Sequence, residues 1–129
     1  MASFTVPTSK DIYIEINGRR LAVVESYRAT ATKESRAIEA FGSAEPVASV
    51  GGKRSYVLEL TRVCVVQEAK EDATDFYQMD NFNVVIVKPD SKIIYSGCQW
   101  SSINEAAALS DAVLEQVRIV AASRMVVPA

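Results

Sequence analysis

The side chains that most often carry catalysis or bind metals are scarce in this sequence. None of its 129 residues is histidine, which excludes Ser-His-Asp and Cys-His nucleophile systems, histidine general bases and histidine metal sites. The two cysteines, Cys64 and Cys98, are 34 positions apart and form no Cys-x-x-Cys pair for zinc or redox chemistry. Both lie in apolar segments typical of strands, so we expect buried, reduced thiols that behave as small hydrophobic groups.

One glycine-rich segment, residues 51–54, has part of the pattern of a phosphate-binding loop. That motif needs a glycine five positions before its Gly-Lys pair and a Ser or Thr directly after it. Here Val47 occupies the first position and Arg54 the last. The spacing therefore fails, and a glycine-containing turn before a strand is the better interpretation.

Four acidic residues are grouped in the segment that precedes Phe76: Glu68, Glu71, Asp72 and Asp75. Two carboxylates of such a group could act as general acid and base, or several could bind calcium. No EF-hand spacing is present, and acidic side chains are also stabilised near the positive end of a helix. We favour the structural role, and we predict neither enzymatic activity nor a metal or cofactor.

The charge balance gives no general attraction for nucleic acid. The chain has 14 basic and 16 acidic residues, a net charge of −2, so no bulk positive field is available. Two basic pairs, Arg19-Arg20 and Lys53-Arg54, lie beside turns without the interleaved aromatic side chains on which bases stack. Salt bridges to a neighbouring subunit or ordinary surface charge are the favoured interpretations of both pairs.

Length and composition indicate one folded domain over residues 1–129. Hydrophobic residues make up 49% of the chain and charged residues 23%, which is typical of a globular protein. The first ten residues lack the basic and then apolar pattern of a secretion signal, and they predict an extended arm. No apolar run approaches the roughly 18 residues that cross a membrane, so we expect an intracellular protein without a membrane partner.

The hydrophobic pattern predicts a mainly β fold. Residues 11–16 alternate apolar and polar side chains, Asn17-Gly18 is a strong hairpin signal, and the chain then returns as a strand to about Lys33. Further strands are predicted over residues 55–67, 82–88, 93–103 and 112–127, and a short helix over residues 68–80. Six strands and one inserted helix favour a β-sandwich or barrel. Gly97 lies inside a predicted strand, where glycine marks a bulge or a close approach of another backbone.

Residues 33–54 break the strand pattern and predict a long loop. They contain three of the five glycines and Pro46, and a connection of this length is usually functional or disordered. The segment also carries Ile38, Phe41, Val47 and Val50, which a purely solvated linker would not need. Two interpretations remain open: the loop docks on another chain, or it folds back on its own core.

The order of these elements resembles that of the tail-tube proteins of contractile phages and related injection devices. The segments that carry the resemblance are INGRRLAVVESYRATATKES, VGGKRSYVLELTRV and VVIVKPDSKIIYSGCQW. It extends from Ile12 to about Val120, and it is a resemblance of pattern and size rather than of a diagnostic motif.

The resemblance implies a structural subunit that assembles into stacked hexameric rings, with sheath and baseplate proteins as partners. The rings would form a conduit for DNA or an effector, in a virion tail or phage-like particle assembled in the bacterial cytoplasm. A lumen that passes its cargo without sticking should present acidic and small polar residues. The lumen-facing candidates, by strand alternation, are Thr30, Thr32, Glu59 and Thr61. The candidates for the subunit interface are Glu34, Arg36, Ile38, Phe41, Val47, Val50 and Lys53.

Two other classes of function fit the same pattern of elements. A small β-barrel could bind a ligand, or be an enzyme of that shape, if polar groups converged in a cavity. The chain could also be an adaptor or chaperone of a larger assembly. A ring subunit should form rings or polymers in solution, whereas a ligand-binding barrel should remain a monomer or dimer.

Overall fold

The computed structural model describes residues 6–21, 24–64 and 75–128, and it is built almost entirely of antiparallel strands. The strands are β1 (Tyr13–Ile16), β2 (Arg19–Arg20), β3 (Val24–Ile38), β4 (Ala48–Val63), β5 (Phe82–Val87), β6 (Ser91–Ala106), β7 (Leu114–Ala121) and β8 (Ser123–Pro128). The mainly β fold class is confirmed, and the described residues form eight strands where six were predicted. No helix in the described ranges is long and apolar enough to cross a membrane.

The first hairpin turns where the sequence predicts, but its returning strand is only β2; the later part of the strand predicted to reach Lys33 belongs to β3, which pairs with β4 instead of β1. Ile14 and Ile16 on β1 are buried, and the turn residues Asn17 and Gly18 have φ values of 50° and 83°. Those positive values suit the Asn-Gly pair. The Asn17 side chain accepts a hydrogen bond of 2.9 Å from the backbone N–H of Asn83, which ties the turn to the beginning of β5.

The segment predicted as a long loop, residues 33–54, is mostly strand. Strands β3 and β4 pair from Val24–Arg62 to Ile38–Ala48, so that only residues 39–47 connect them. The prediction was wrong because glycine, Pro46 and charged residues are also compatible with a hairpin that has no buried face. An irregularity in register between Lys33 and Ser35 brings Glu34 against Gly52, whose missing side chain leaves room for it. We call the exposed part of this hairpin, residues 30–55, the arm.

The last three strands form a second long hairpin. A turn at Pro89-Asp90 joins β5 to β6, as predicted. The predicted final strand, residues 112–127, is present as β7 and β8, which pair in succession along β6. The pairing is interrupted at Ala122, which lies against Gly97, and its register is irregular between Trp100 and Ser102.

Gly97 and Ala122 form a corner between two halves of the sheet. The first half of β6 pairs with β5 and β8, and its second half pairs with β7. The strand order is β2-β1-β5-β6-β7-β4-β3, with β8 also beside β6. Gly97 has a φ of 63°, and a Cβ atom built on it would lie 2.8 Å from the Cβ of Ala122. The predicted close approach at this glycine is therefore present.

One hydrophobic core receives side chains from both halves of the sheet. Ile14, Val84 and Ile86 come from one half, and Leu58 and Ile119 from the other. The corner also changes which residues of β6 face inward. Ile93 and Tyr95 are buried before Gly97, and Cys98 is buried after it. Simple alternation would place Ile94, Cys98 and Trp100 on one face, but it does not continue through the corner, and of the three only Cys98 is buried.

The predicted helix over residues 68–80 is represented, in the part that the structure describes, by a single 3₁₀ turn at Phe76–Gln78. Residues 68–74 lie outside the described residues. Asp75 caps the turn by accepting a hydrogen bond of 3.1 Å from the backbone N–H of Tyr77. Phe76 enters the core and contacts Phe82 edge-to-face, with ring centroids 6.0 Å apart.

The two cysteines lie in different environments. Cys98 is buried in the core, as predicted, and burial raises the pKa of its thiol to about 11. Cys64 is exposed at the end of β4, so its predicted burial was wrong. Partial desolvation and the negative charges of Glu115 and Glu105 raise the pKa of the Cys64 thiol above its ordinary value.

We predict that Gly97→Ala destabilises the fold by about 2–5 kcal/mol. A left-handed backbone costs a residue with a side chain roughly 1–2 kcal/mol, and the added methyl group would collide with Ala122, an overpacking cost of about 1–3 kcal/mol. Denaturant unfolding would measure the loss. The control is Gly18→Ala, at a position that also has a positive φ but has no atom within 4 Å of the added Cβ. This variant should lose only the stability that the left-handed backbone costs. Adding Ala122→Gly to Gly97→Ala should recover stability, and equal losses at Gly97 and Gly18 would contradict the corner.

We predict that a thiol reagent labels Cys64 in the native protein and leaves Cys98 unlabelled until the chain unfolds. The thiolate is the reactive form, so the rate at Cys64 should rise with pH through a midpoint above the ordinary pKa of 9.0. Mass spectrometry of labelled peptides would separate the two sites, with denaturant-unfolded protein as the control in which both react. Equal labelling of the native thiols would show that Cys98 is not enclosed.

Candidate functional site

Strand pairing places a polar surface on the side of the sheet opposite the core. Residues directly opposite one another in antiparallel strands share a face, and β3, β4, β7 and β6 lie side by side in that order. Three cross-strand rows result: Ser26, Thr61, Gln116 and Asn104; Arg28, Glu59, Arg118 and Ser102; Thr30, Val57, Val120 and Gln99. The pair Thr32–Ser55 continues this surface into the arm. We call the surface the polar face.

The polar face exists because the side chains of β4 and β7 alternate between the two sides of the sheet. Leu58 and Leu60 on β4, and Val117 and Ile119 on β7, are buried, while the residues between them point the other way. A groove on the polar face is lined by side chains from its first two rows, including Glu59, Thr61 and Gln116. The same alternation therefore forms the core and a continuous polar surface.

The middle row carries the charges of the polar face. Glu59 is opposite Arg28 on one side and Arg118 on the other. The Nε atom of Arg118 lies 4.0 Å from Oε1 of Glu59, and both side chains are about half exposed. Arg118 also approaches Ser101, whose hydroxyl donates a hydrogen bond of 3.2 Å to the Arg118 carbonyl oxygen.

The four predicted lumen residues lie together on the polar face. Thr30 and Thr32 are on β3, and Glu59 and Thr61 are on β4. Sequence reasoning missed Arg28 and Arg118, although alternation with Tyr27 and Val117 could have placed them there. With two arginines and one glutamate in its rows, the polar face is not acidic as expected.

The predicted interface residues lie on the arm and at its tip. Four apolar side chains are exposed in the isolated chain: Ile38, Phe41, Val47 and Val50. Phe41 is fully exposed at the turn, and the backbone N–H of Val47 closes the tip by donating a 2.9 Å hydrogen bond to the carbonyl oxygen of Ile38. Glu34, Arg36 and Lys53 are also exposed, on the strands of the arm. None of these seven side chains packs on the core, so the alternative of a loop folded back on the core is not realised.

A second ion pair lies at the edge of the core. Nη2 of Arg62 lies 2.8 Å from Oε1 of Glu115, with the side chains 15% and 19% exposed. The guanidinium also lies over the Phe76 ring, 4.9 Å from its centroid. Glu115 is directly opposite Glu105, so Arg62 partly offsets the repulsion between two carboxylates. This arrangement explains the charged residue that interrupts the apolar pattern of β4.

The described residues contain no group of three acidic or cysteine side chains arranged to hold a metal ion. Of the acidic group singled out in the sequence, Asp75 caps the Phe76–Gln78 turn, whereas Glu68, Glu71 and Asp72 lie outside the described residues.

No family model and no curated protein matches the sequence, but solved structures match the fold along nearly its whole length. The SPP1 tail tube has a TM-score of 0.75 at 11% identity, covering 95% of this chain and 79% of that one. This chain has the tail-tube fold. A second example of the tail-tube fold is in a sheath-tube complex of an extracellular contractile injection system, with a TM-score of 0.73 at 8% identity, over 98% of this chain and 93% of that one.

A third structure with the tail-tube fold is a chain from the virion of a native gene transfer agent particle. Its TM-score is 0.73 at 16% identity, and the alignment covers 96% of this chain and 99% of that one. The named structures are parts of virions, tails and injection systems rather than enzymes. The resemblance inferred from the order of elements is therefore confirmed for the tail-tube fold.

We predict that the two ion pairs contribute differently to stability. Exposed pairs are usually worth about 0–1 kcal/mol, so the coupling energy of Arg118 and Glu59 should fall in that range. Hydrogen bonds to charged groups that are shielded from water are worth about 1.5–3 kcal/mol, which we expect for Arg62 and Glu115. Double-mutant cycles with alanine, followed by denaturant unfolding, would measure both. A larger coupling at the Arg118–Glu59 pair would contradict this order.

Proposed function

We propose that this chain is a structural, non-catalytic subunit of a tail tube. Copies of it assemble into hexameric rings, and the rings stack to form a conduit for DNA or an effector. The observation that carries the proposal is the polar face on strands β3, β4, β7 and β6, on the side of the sheet opposite the core. A mainly polar surface built from four adjacent strands is suited to line a channel.

Unpaired strand edges support ring formation. Within the described residues, β3 pairs only with β4, and the second half of β6 pairs only with β7. Open edges expose backbone hydrogen-bonding groups and favour pairing with another chain. Joining β3 of one copy to β6 of the next, around a closed ring, satisfies both edges and extends the polar face across the junction.

The size of such a ring is compatible with a conduit. Six copies of four strands, spaced about 4.8 Å apart, give a circumference of about 115 Å and a backbone diameter of about 37 Å before strand tilt widens it. A barrel of that size is too wide for side chains to fill, as small barrels are filled. The interior therefore remains open to a polymer.

The arm supports stacking between rings. Strand β3 has 15 residues and extends about 50 Å at the usual rise per residue. Its residues beyond Thr30 are all exposed and have no core beneath them. The apolar tip (Ile38, Phe41, Val47 and Val50) gains burial only by contact with another chain. We assign this contact to the neighbouring ring, with Glu34, Arg36 and Lys53 beside it.

The proposed partners follow from the particles in which the tail-tube fold is found. One of the similar structures belongs to a sheath-tube complex, and we propose sheath and baseplate proteins as partners of this chain. We propose that the assembled tube is part of a virion tail or phage-like particle, and that this particle is assembled in the bacterial cytoplasm.

We predict that Ile38→Ser with Phe41→Ser leaves the subunit folded and abolishes stacking. Full burial of an apolar side chain is worth about 1.5–3 kcal/mol, and the contact is repeated around each ring, whereas neither side chain supports the core. Thermal unfolding at low concentration would test folding, and negative-stain electron microscopy at high concentration would test assembly.

The control for this variant is Leu109→Ser, which removes an exposed apolar side chain from the turn between β6 and β7. It should fold and assemble like the natural sequence. Normal tubes from the double variant would contradict the assigned contact, and outright unfolding would show that the arm belongs to the subunit's own core. A natural chain that forms no rings or tubes at any concentration would contradict the proposed function.

A further inference from the structure

The polar face carries its charges in one row, with neutral rows on both sides. Arg28, Glu59 and Arg118 are in line across β3, β4 and β7, and the two adjoining rows contain only uncharged side chains. Two positive charges and one negative charge give this face a net charge of +1, whereas the whole chain has a net charge of −2. The face therefore has the opposite sign to the protein as a whole.

All the cationic groups in this row are guanidinium groups. A guanidinium presents a planar set of N–H donors that can bind two oxygens of one phosphate. The central carboxylate competes for the same donors, since Glu59 Oε1 is 4.0 Å from Arg118 Nε. Because an exposed pair of this kind is held weakly, a phosphate could displace the carboxylate without disturbing the fold.

We infer that the Arg28–Glu59–Arg118 row contacts the phosphates of nucleic acid that passes along the polar face, and that Glu59 keeps this contact weak. The inference rests on the proposed function and specifies the cargo as nucleic acid. The two arginines attract the phosphates weakly and reversibly, and the carboxylate between them prevents tight binding of the nucleic acid. The neutral rows on either side offer hydrogen bonds but no net charge.

The experiment compares three variants for binding to fluorescent double-stranded DNA over a range of salt concentrations. Glu59→Gln removes the competing carboxylate and should bind DNA severalfold more tightly than the natural chain at low salt. The dependence of log K on log salt should steepen by about 0.9 for each added phosphate contact. Arg28→Gln with Arg118→Gln should bind most weakly and show the shallowest dependence on salt.

The matched control is Asp90→Asn, which makes the same change in net charge as Glu59→Gln but at the exposed turn between β5 and β6. It should bind DNA like the natural chain. Equal strengthening by Asp90→Asn and Glu59→Gln would overturn the inference, because net charge alone would then explain binding. No change with Glu59→Gln would also overturn it, as would tighter binding of polyglutamate than of DNA.

Electron microscopy of the same samples separates this inference from the proposed function. If tubes form and Glu59→Gln does not alter DNA binding, the inference fails and the tube subunit stands. If DNA binding changes as expected but no chain assembles, the charged row is supported and the proposed function fails. Thermal unfolding should give the same midpoint for natural protein and Glu59→Gln, since an exposed ion pair contributes little to stability.

Discussion

The pairing of β6 with strands in both halves of the sheet is the constraint on which the rest of the structure depends. The first half of β6 pairs with β5 and β8, and its second half pairs with β7. The two halves of the sheet can therefore enclose one core only if β6 bends without losing its hydrogen bonds. Gly97 allows the turn through its positive φ and its lack of a side chain against Ala122. The core residues of β4 and β7, and the polar face behind them, are positioned by that corner.

The arm is stabilised differently from the rest of the subunit. Its strands are held by a ladder of backbone hydrogen bonds, but its side chains are exposed and contribute no core. Isolated two-stranded hairpins are marginally stable in water, so a second chain would be the natural source of further stabilisation. Apolar surface at the tip of the arm becomes favourable only on contact, which is why we propose the stacking contact there.

The sequence predicted those parts of the fold in which the alternation of apolar and polar side chains matches the alternation of the strand. Alternation around Ile14 and Ile16, and the Asn17-Gly18 pair, were sufficient to predict β1 and its turn, but not the two-residue length of β2. Reasoning failed in residues 33–54, where an exposed hairpin and a loop have the same composition because neither buries a face. It also failed at Cys64, which lies at the end of a strand that continues beyond the core. The four lumen candidates were placed on one face by alternation alone. The pairing that aligns them with Arg28 and Arg118 depends on the order and register of the strands in the sheet.

Register links the composition of the polar face to that of the core. Side chains alternate with a period of two, so a one-residue slip of β4 or β7 would place Glu59 or Arg118 in the core and expose Leu58 or Ile119. Burying those charges without partners would cost far more than an exposed ion pair returns. The hydrophobic core therefore fixes the order of the polar rows, although the polar side chains themselves contribute little to stability. Since the core enforces the register, the Arg-Glu-Arg row is not needed for folding, which leaves its charges available for the contact with nucleic acid that we propose.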